Sequence, residues 1–143
     1  MLFLQAKRVL FLLAIVGLLS GLWGCARTYE QRPHQLNAAE VEKLFLDHTV
    51  VSRNLKTDTI SVSYYGSDGA VTQIRKDRLR TGHWRIKQNG EICMQMESNK
   101  ESCRFIRLDG DHVYRKYRPT NSGLEPIIAY DAADAFVRGN QLQ

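Results

Sequence analysis

The chain has 143 residues, 43% of them hydrophobic and 24% charged, and a formal charge of +5. That length suits one domain and not two. Lys7 and Arg8 supply two of the positive charges in a segment expected to be removed, and the +3 left over is too weak to argue for nucleic acid.

Met1 to Gly24 reads as a targeting segment. Lys7-Arg8 is its positive region, and Val9 to Leu19 is an apolar run of about eleven residues. A membrane-spanning helix needs about twenty. The run ends in Leu22-Trp23-Gly24-Cys25, with an aliphatic residue three before the cysteine and a small residue just before it. This stretch resembles the lipobox of bacterial lipoproteins, although Trp23 stands where a small or β-branched residue is usual. The resemblance implies cleavage after Gly24, thioether lipidation of Cys25 and acylation of the new amino group. Several acyl chains anchor a protein stably where one is marginal. Ala26 stands where an Asp would retain such a protein in the inner membrane, so the resemblance implies an outer-membrane lipoprotein facing the periplasm. The alternatives are an ordinary secretory signal cut near Gly24, or an uncleaved anchor.

Residues 25–35 are then a lipidated tether, polar and holding Pro33, and residues 36–143 a single β-rich domain. Asn37-Ala38-Ala39-Glu40 has the form of a capping box, and Leu36 is placed to staple against Val41. Val41, Leu44 and Phe45 share one helical face, which predicts a short amphipathic helix from Ala38 to about Leu46 that packs on the core.

From Thr49 the period changes to two. Thr49-Val50-Val51 opens a strand, and Thr59 to Tyr65 is a second, with Ile60, Val62 and Tyr64 on one face and Ser61 and Ser63 on the other. Gly66 to Gly69 is a loop, Ala70 to Arg75 returns, and Lys76 to Thr81 reads as a charged connection. His83 to Lys87 alternates with Trp84 and Ile86 on one face. Asn89-Gly90 predicts a type I′ hairpin turn. Glu91 to Glu97 places Ile92, Met94 and Met96 together, Ser98-Asn99-Lys100 turns, and Cys103 to Leu108 comes back. Asp109-Gly110 is read as the next turn, His112 to Arg118 as a strand, Pro119 to Glu125 as a loop and Pro126 to Tyr130 as the last apolar strand. Asp131 to Gly139 fits either a closing helix or an edge strand.

Cys93 and Cys103 are symmetric about Ser98 and so lie opposite each other across a hairpin. Opposed cysteines bridge only at a narrow, non-hydrogen-bonded pair. Cys93 falls with Glu91 and Gln95 but Cys103 falls with Phe105, which leaves either a mixed face or a bulge that resets the register. With Cys25 lipidated, these two are the cysteines left to pair in an oxidising periplasm. The fold class expected is mainly β (α+β): an antiparallel curved sheet or small barrel-like meander of about seven or eight strands, with the N-terminal helix over an open face or end.

The order of Leu36 to Glu40, Thr49-Val50, Asp68-Gly69, Gly82-His83-Trp84, Cys93 and Cys103, and Gly139-Asn140 is similar to that of small exported bacterial domains of unknown function. The resemblance implies the fold and the disulfide and brings no catalytic residue.

The chemistry-bearing residues do not converge by spacing. His34, His48, His83 and His112 have neither HxH nor HxxxH spacing, so no metal ligand set is expected. Cys93 and Cys103 are too far apart for a CxxC redox motif. Asp68-Gly69 and Asp109-Gly110-Asp111 lack the acidic pattern of a calcium loop, and no GxSxG elbow is present. No catalytic residue and no cofactor is therefore expected. Arg75, Lys76, Arg78, Arg80, Arg85, Lys87, Arg115, Lys116 and Arg118 read as a solvated, charge-protected face, or as one that docks on anionic headgroups or cell-wall polymers. The expectation is a non-enzymatic lipoprotein, held to its membrane by the lipid, that binds an envelope protein or a cell-wall component or plays a structural role there. The alternative is a carrier of a small hydrophobic ligand, with a lipocalin-like pocket lined by Tyr64, Trp84, Met94 and Met96.

Overall fold

The computed structural model describes residues 33–97, 99–110 and 112–143. The targeting segment, the lipobox with Cys25 and most of the tether lie outside the described residues. No described helix is long and apolar enough to cross a membrane.

The described chain is mostly β. The elements in order are β1 (His34–Gln35), α1 (Ala38–Phe45), β2 (His48–Asn54), β3 (Ile60–Tyr65), β4 (Ala70–Arg75), β5 (Arg78–Ile86), β6 (Ile92–Met96), β7 (Ser102–Leu108), β8 (Val113–Thr120), β9 (Gly123–Asp131) and β10 (Phe136–Arg138). Each strand from β2 to β9 pairs antiparallel with the next, and β9 returns to pair with β2 through Arg53 opposite Ala129 and Asn54 opposite Ile128. The result is a closed eight-stranded up-and-down barrel, which leaves no open sheet edge along the ring. Two short strands are added to it: β1 on the far half of β7, and β10 on the first half of β2.

Helix α1 begins at the capping box: the Asn37 side chain accepts from the Glu40 N–H at 3.0 Å, and the Glu40 carboxylate accepts from the Asn37 N–H at 2.8 Å. These bonds satisfy two donors that a helix start otherwise leaves orphaned. The helix lays Val41 and Phe45 into one end of the barrel, where both are fully buried. There Phe45 meets Tyr65, Tyr130 and Phe136 edge-on, with centroids 5.0, 5.7 and 5.6 Å away. Leu36, Val50, Val71, Trp84, Ile92, Ile106 and Leu108 complete this core. This is the closed end.

Several turns differ from their sequence reading. Gln88-Asn89-Gly90 is not a two-residue type I′ turn. Lys87 N–H bonds to Glu91 O, so three residues lie between, and only Gly90 is left-handed (φ 86°). A Cβ on Gly90 would lie 2.5 Å from the Leu36 carbonyl oxygen, so the same glycine also lets the helix entry approach. Lys76 to Thr81 is strand β5 apart from its first two residues. Lys76 and Asp77 alone make the turn, both with positive φ, a conformation that aspartate tolerates but that lysine does not advertise. Pro119 to Glu125 is likewise a continued hairpin, because Pro119 pairs with Leu124 and its missing N–H costs no ladder bond at the mouth. After Asp131 a turn capped by its own carboxylate leads into β10, so the closing segment is a strand and not a helix.

Candidate functional site

Inside an eight-stranded barrel there is just room for side chains to fill the lumen. At the closed end, large apolar residues do so. At the other end the inward positions carry Ser52, Ser61, Ser63 and Ser102, which are too small to meet across the axis. They leave a cavity of about 270 Å³ that opens between the β2–β3, β4–β5, β6–β7 and β8–β9 turns. That volume lies near the lower end of small-molecule sites.

The lining sorts into three kinds of group. Tyr65, Ile92, Met94, Met96, Ile127, Ile128 and Tyr130 are apolar or aromatic; the four serines with Asn54, Gln73 and Asn99 are neutral hydrogen-bonding groups; Arg75, Arg80, Lys100, Arg104 and Lys116 are cations. Among the described residues no aspartate or glutamate lines the cavity. Five cations, of which only Arg80 has an acid within ion-pair distance among the described residues, focus a positive potential into a recess of low dielectric.

Strand register places these groups in tiers. Ser61 lies opposite Arg75 and Ser63 opposite Gln73, whose amide donates to the Ser63 hydroxyl at 3.0 Å. Arg80 follows beside Gln73, and its Nε sits 3.7 Å from Glu97. Lys116 is deepest in this basic set, opposite Ile106 on one side and Ile128 on the other, and is 8% exposed. Its ammonium meets the Met94 sulfur at 3.7 Å and lies over the Tyr130 ring, 5.9 Å from the centroid. No carboxylate among the described residues pairs with it. Burial, and then the Arg104 charge, push its pKa down to about 8. The Tyr65 phenol, buried beside the same Met94 sulfur at 3.4 Å, is held protonated well above its ordinary range by burial.

The residues named from sequence divide. Met94 and Met96 are on the cavity wall. Trp84 is in the closed-end core, its indole N–H donating to the Gly66 carbonyl at 2.9 Å. Tyr64 points outward, its hydroxyl donating to Asp47 at 2.7 Å, and that carboxylate raises its pKa. The pocket wall on β3 belongs instead to Ser61, Ser63 and Tyr65. The alternation of β3 divided the faces correctly, but the buried face is the serine face. Arg75, Arg80 and Lys116 correct the reading of the basic residues as a solvated surface, since all three point inward. By contrast Arg85 pairs with Glu101, Lys87 with Glu91 and Arg118 with Glu125 on the outside.

Cys93 and Cys103 are directly opposed in the β6–β7 ladder and joined in a disulfide, with Cα atoms 4.0 Å apart. The ladder runs without a bulge there, so the bridge lies on the outer face together with Phe105, which is the mixed-face arrangement. Glu101 lies beside it and is held ionised by a two-pronged bond to Arg85 at 2.7 and 2.6 Å. Cys93, Glu101 and Cys103 cluster within 4.8 Å, but with both sulfurs bonded to each other they are not a metal ligand set. No protein-family model matches this chain, and no curated protein matches it.

Proposed function

We infer that this chain is a non-enzymatic binding protein of the bacterial envelope, whose barrel holds a small anionic ligand. The observation that carries this reading is the cavity lined by five cations and four serines without an acid. Lys116 supplies the strongest single reason. A buried ammonium without a carboxylate is costly, and a bound anion relieves that cost. Serine hydroxyls, Gln73 and Asn99 can donate to the same anion's oxygens. The apolar wall of Met94, Met96, Ile127 and Ile128 adds contact for a ligand with a hydrocarbon part, so the carrier reading is retained with an acid group on its cargo. The location rests on the lipobox at Cys25, on Ala26 after it, and on a disulfide that suits an oxidising periplasm.

The test is native mass spectrometry of the full-length protein extracted from its own membranes in mild detergent. The expected result is a lipidated chain carrying an added mass that dissociates as an anion, and that mass is missing from Lys116→Met. A chain that is bare in both forms, and that takes up neither inorganic phosphate nor a fatty acid at millimolar concentration, overturns the reading.

A further inference from the structure

The cavity holds Lys116 and Arg104 inside, among Tyr65, Ile92, Met94 and Tyr130. Arg75, Arg80 and Lys100 lie nearer the turns at its mouth, and large apolar side chains are exposed around that mouth. Leu55 follows β2, Ile60 opens β3, Leu79 follows the β4–β5 turn, and Leu124 follows the β8–β9 turn. They are 44%, 52%, 61% and 43% exposed. All four belong to the end of the barrel opposite α1. The same rim carries Lys56, Lys76 and Lys100, none of which forms an ion pair among the described residues. Of the described rim acids, Asp58, Glu97, Glu101 and Glu125 are already paired with arginines, which leaves Asp77 as the one without an ion pair among the described residues.

Leucines and lysines on adjacent turns are what a bilayer interface selects: apolar groups enter the headgroup boundary and ammonium groups meet anionic phosphates. A recess with Lys116 and Arg104 inside and exposed leucines around its mouth offers a ligand a partner for its acid group within and a partner for its hydrocarbon outside. It suits one whose acid group goes in while its hydrocarbon stays at the rim. A volume of about 270 Å³ is close to nine water volumes, room for a glycerol phosphate unit.

We propose that the open end docks on an anionic phospholipid membrane and seats a lipid phosphate headgroup in the cavity. This rests on the anionic-ligand reading of that cavity. The inserting groups are Leu55, Leu79 and Leu124, the attracting groups are Lys56, Lys76 and Lys100, and Lys116 with Arg104 receives the phosphate. The anchor geometry is compatible. The described chain begins at Pro33, against Gly110 at the closed end, and an extended run from Cys25 to Pro33 reaches about 28 Å. A nine-residue strand is about 30 Å long but, tilted by about 35–45° in a barrel, rises only about 21–25 Å along the axis, so that reach covers the barrel's height to the membrane that the mouth faces.

The test reconstitutes the full-length protein, held by its N-terminal segment, in phosphatidylcholine vesicles with and without phosphatidylglycerol. An environment-sensitive dye is placed at Leu79→Cys, at Leu124→Cys as a second rim site, and at Asn89→Cys at the closed end. Both rim dyes are expected to shift to the blue, and to be quenched by lipid-borne quenchers, only with phosphatidylglycerol; the Asn89 dye stays unchanged. Lys76→Gln and Lys100→Gln each weaken the response by about fivefold. Rim dyes that behave like the Asn89 dye overturn the docking. A shift in plain phosphatidylcholine that grows with protein concentration overturns it in favour of self-association. Titration with soluble glycerol phosphate separates the two readings. Binding that depends on Lys116 while the rim stays silent keeps the cavity reading and removes the docking. A rim that docks equally well in Lys116→Met, with no glycerol phosphate binding by the wild-type protein, removes headgroup seating and the anionic-ligand reading together.

Discussion

Lys116 carries both an energetic cost and the means of relieving it. Its folded pKa of about 8 lies below the ordinary 10.5, because burial disfavours the ammonium. The empty protein is therefore least stable, as far as this group goes, below about pH 8. Stability rises as pH increases from about 8 to 10.5 and is level above that. Lys116→Met should stabilise the empty protein at pH 7 by up to about 3 kcal/mol, an advantage that fades by pH 10.5; thermal denaturation at both pH values checks this. The same group makes anion affinity fall as pH rises through about 8, since only the ammonium attracts, and titration calorimetry across that range reads it directly. Gly82 is a purely steric case. A Cβ there would lie 2.2 Å from the Gln95 carbonyl oxygen and 2.9 Å from the Met96 Cα. Backbone cannot swing aside as a side chain does, so Gly82→Ala should cost about 1–3 kcal/mol, and an unchanged denaturation midpoint would refute that.

Among the elements, those with local physical signals were legible. The capping box sits within four consecutive residues, so the start of α1 could be read at Asn37, and Asn37→Ala should cost about 1 kcal/mol of stability in urea unfolding. The period of two marked the strands because one face of each is buried. It could not say which face, and β3 shows why. Ile60 and Val62 look like core and Ser61 and Ser63 like surface, yet the serines face a cavity. Interior positions that do not fill space need not be apolar, and that information lies in the opposing strands. Turns such as Lys76-Asp77 were missed because their left-handed residues are not glycine or asparagine. The β6–β7 hairpin depends on its covalent staple: the Cys93→Ser, Cys103→Ser double variant should lose about 3 kcal/mol. Because this hairpin carries Asn99 and Lys100 at the mouth, the same variant should also weaken anion binding, and reduced wild-type protein should match it in both measurements.

At the scale of the molecule, a meander of eight strands was readable from turn spacing, but closure was not. It depends on two residue pairs between β2 and β9, and on β10 lying along β2. Beyond β10, the Gly139 N–H bonds to the Asp47 carbonyl at 2.7 Å, and Thr49 Oγ1 donates to the Gly139 carbonyl at 2.7 Å while accepting from the Gln141 N–H at 2.9 Å. The first strand of the ring is thus completed by some of the last residues of the chain. A chain synthesised N-terminus first exposes β2 as a bare, pairing-competent edge until those residues arrive. Folding must then wait for contacts spanning about ninety positions, the slow, non-local kind. During that wait the chain is open to strand-mediated aggregation. Removing residues 136–143 should leave the meander paired but bare the first half of β2, giving a species that self-associates more than the full chain does, as read by analytical ultracentrifugation.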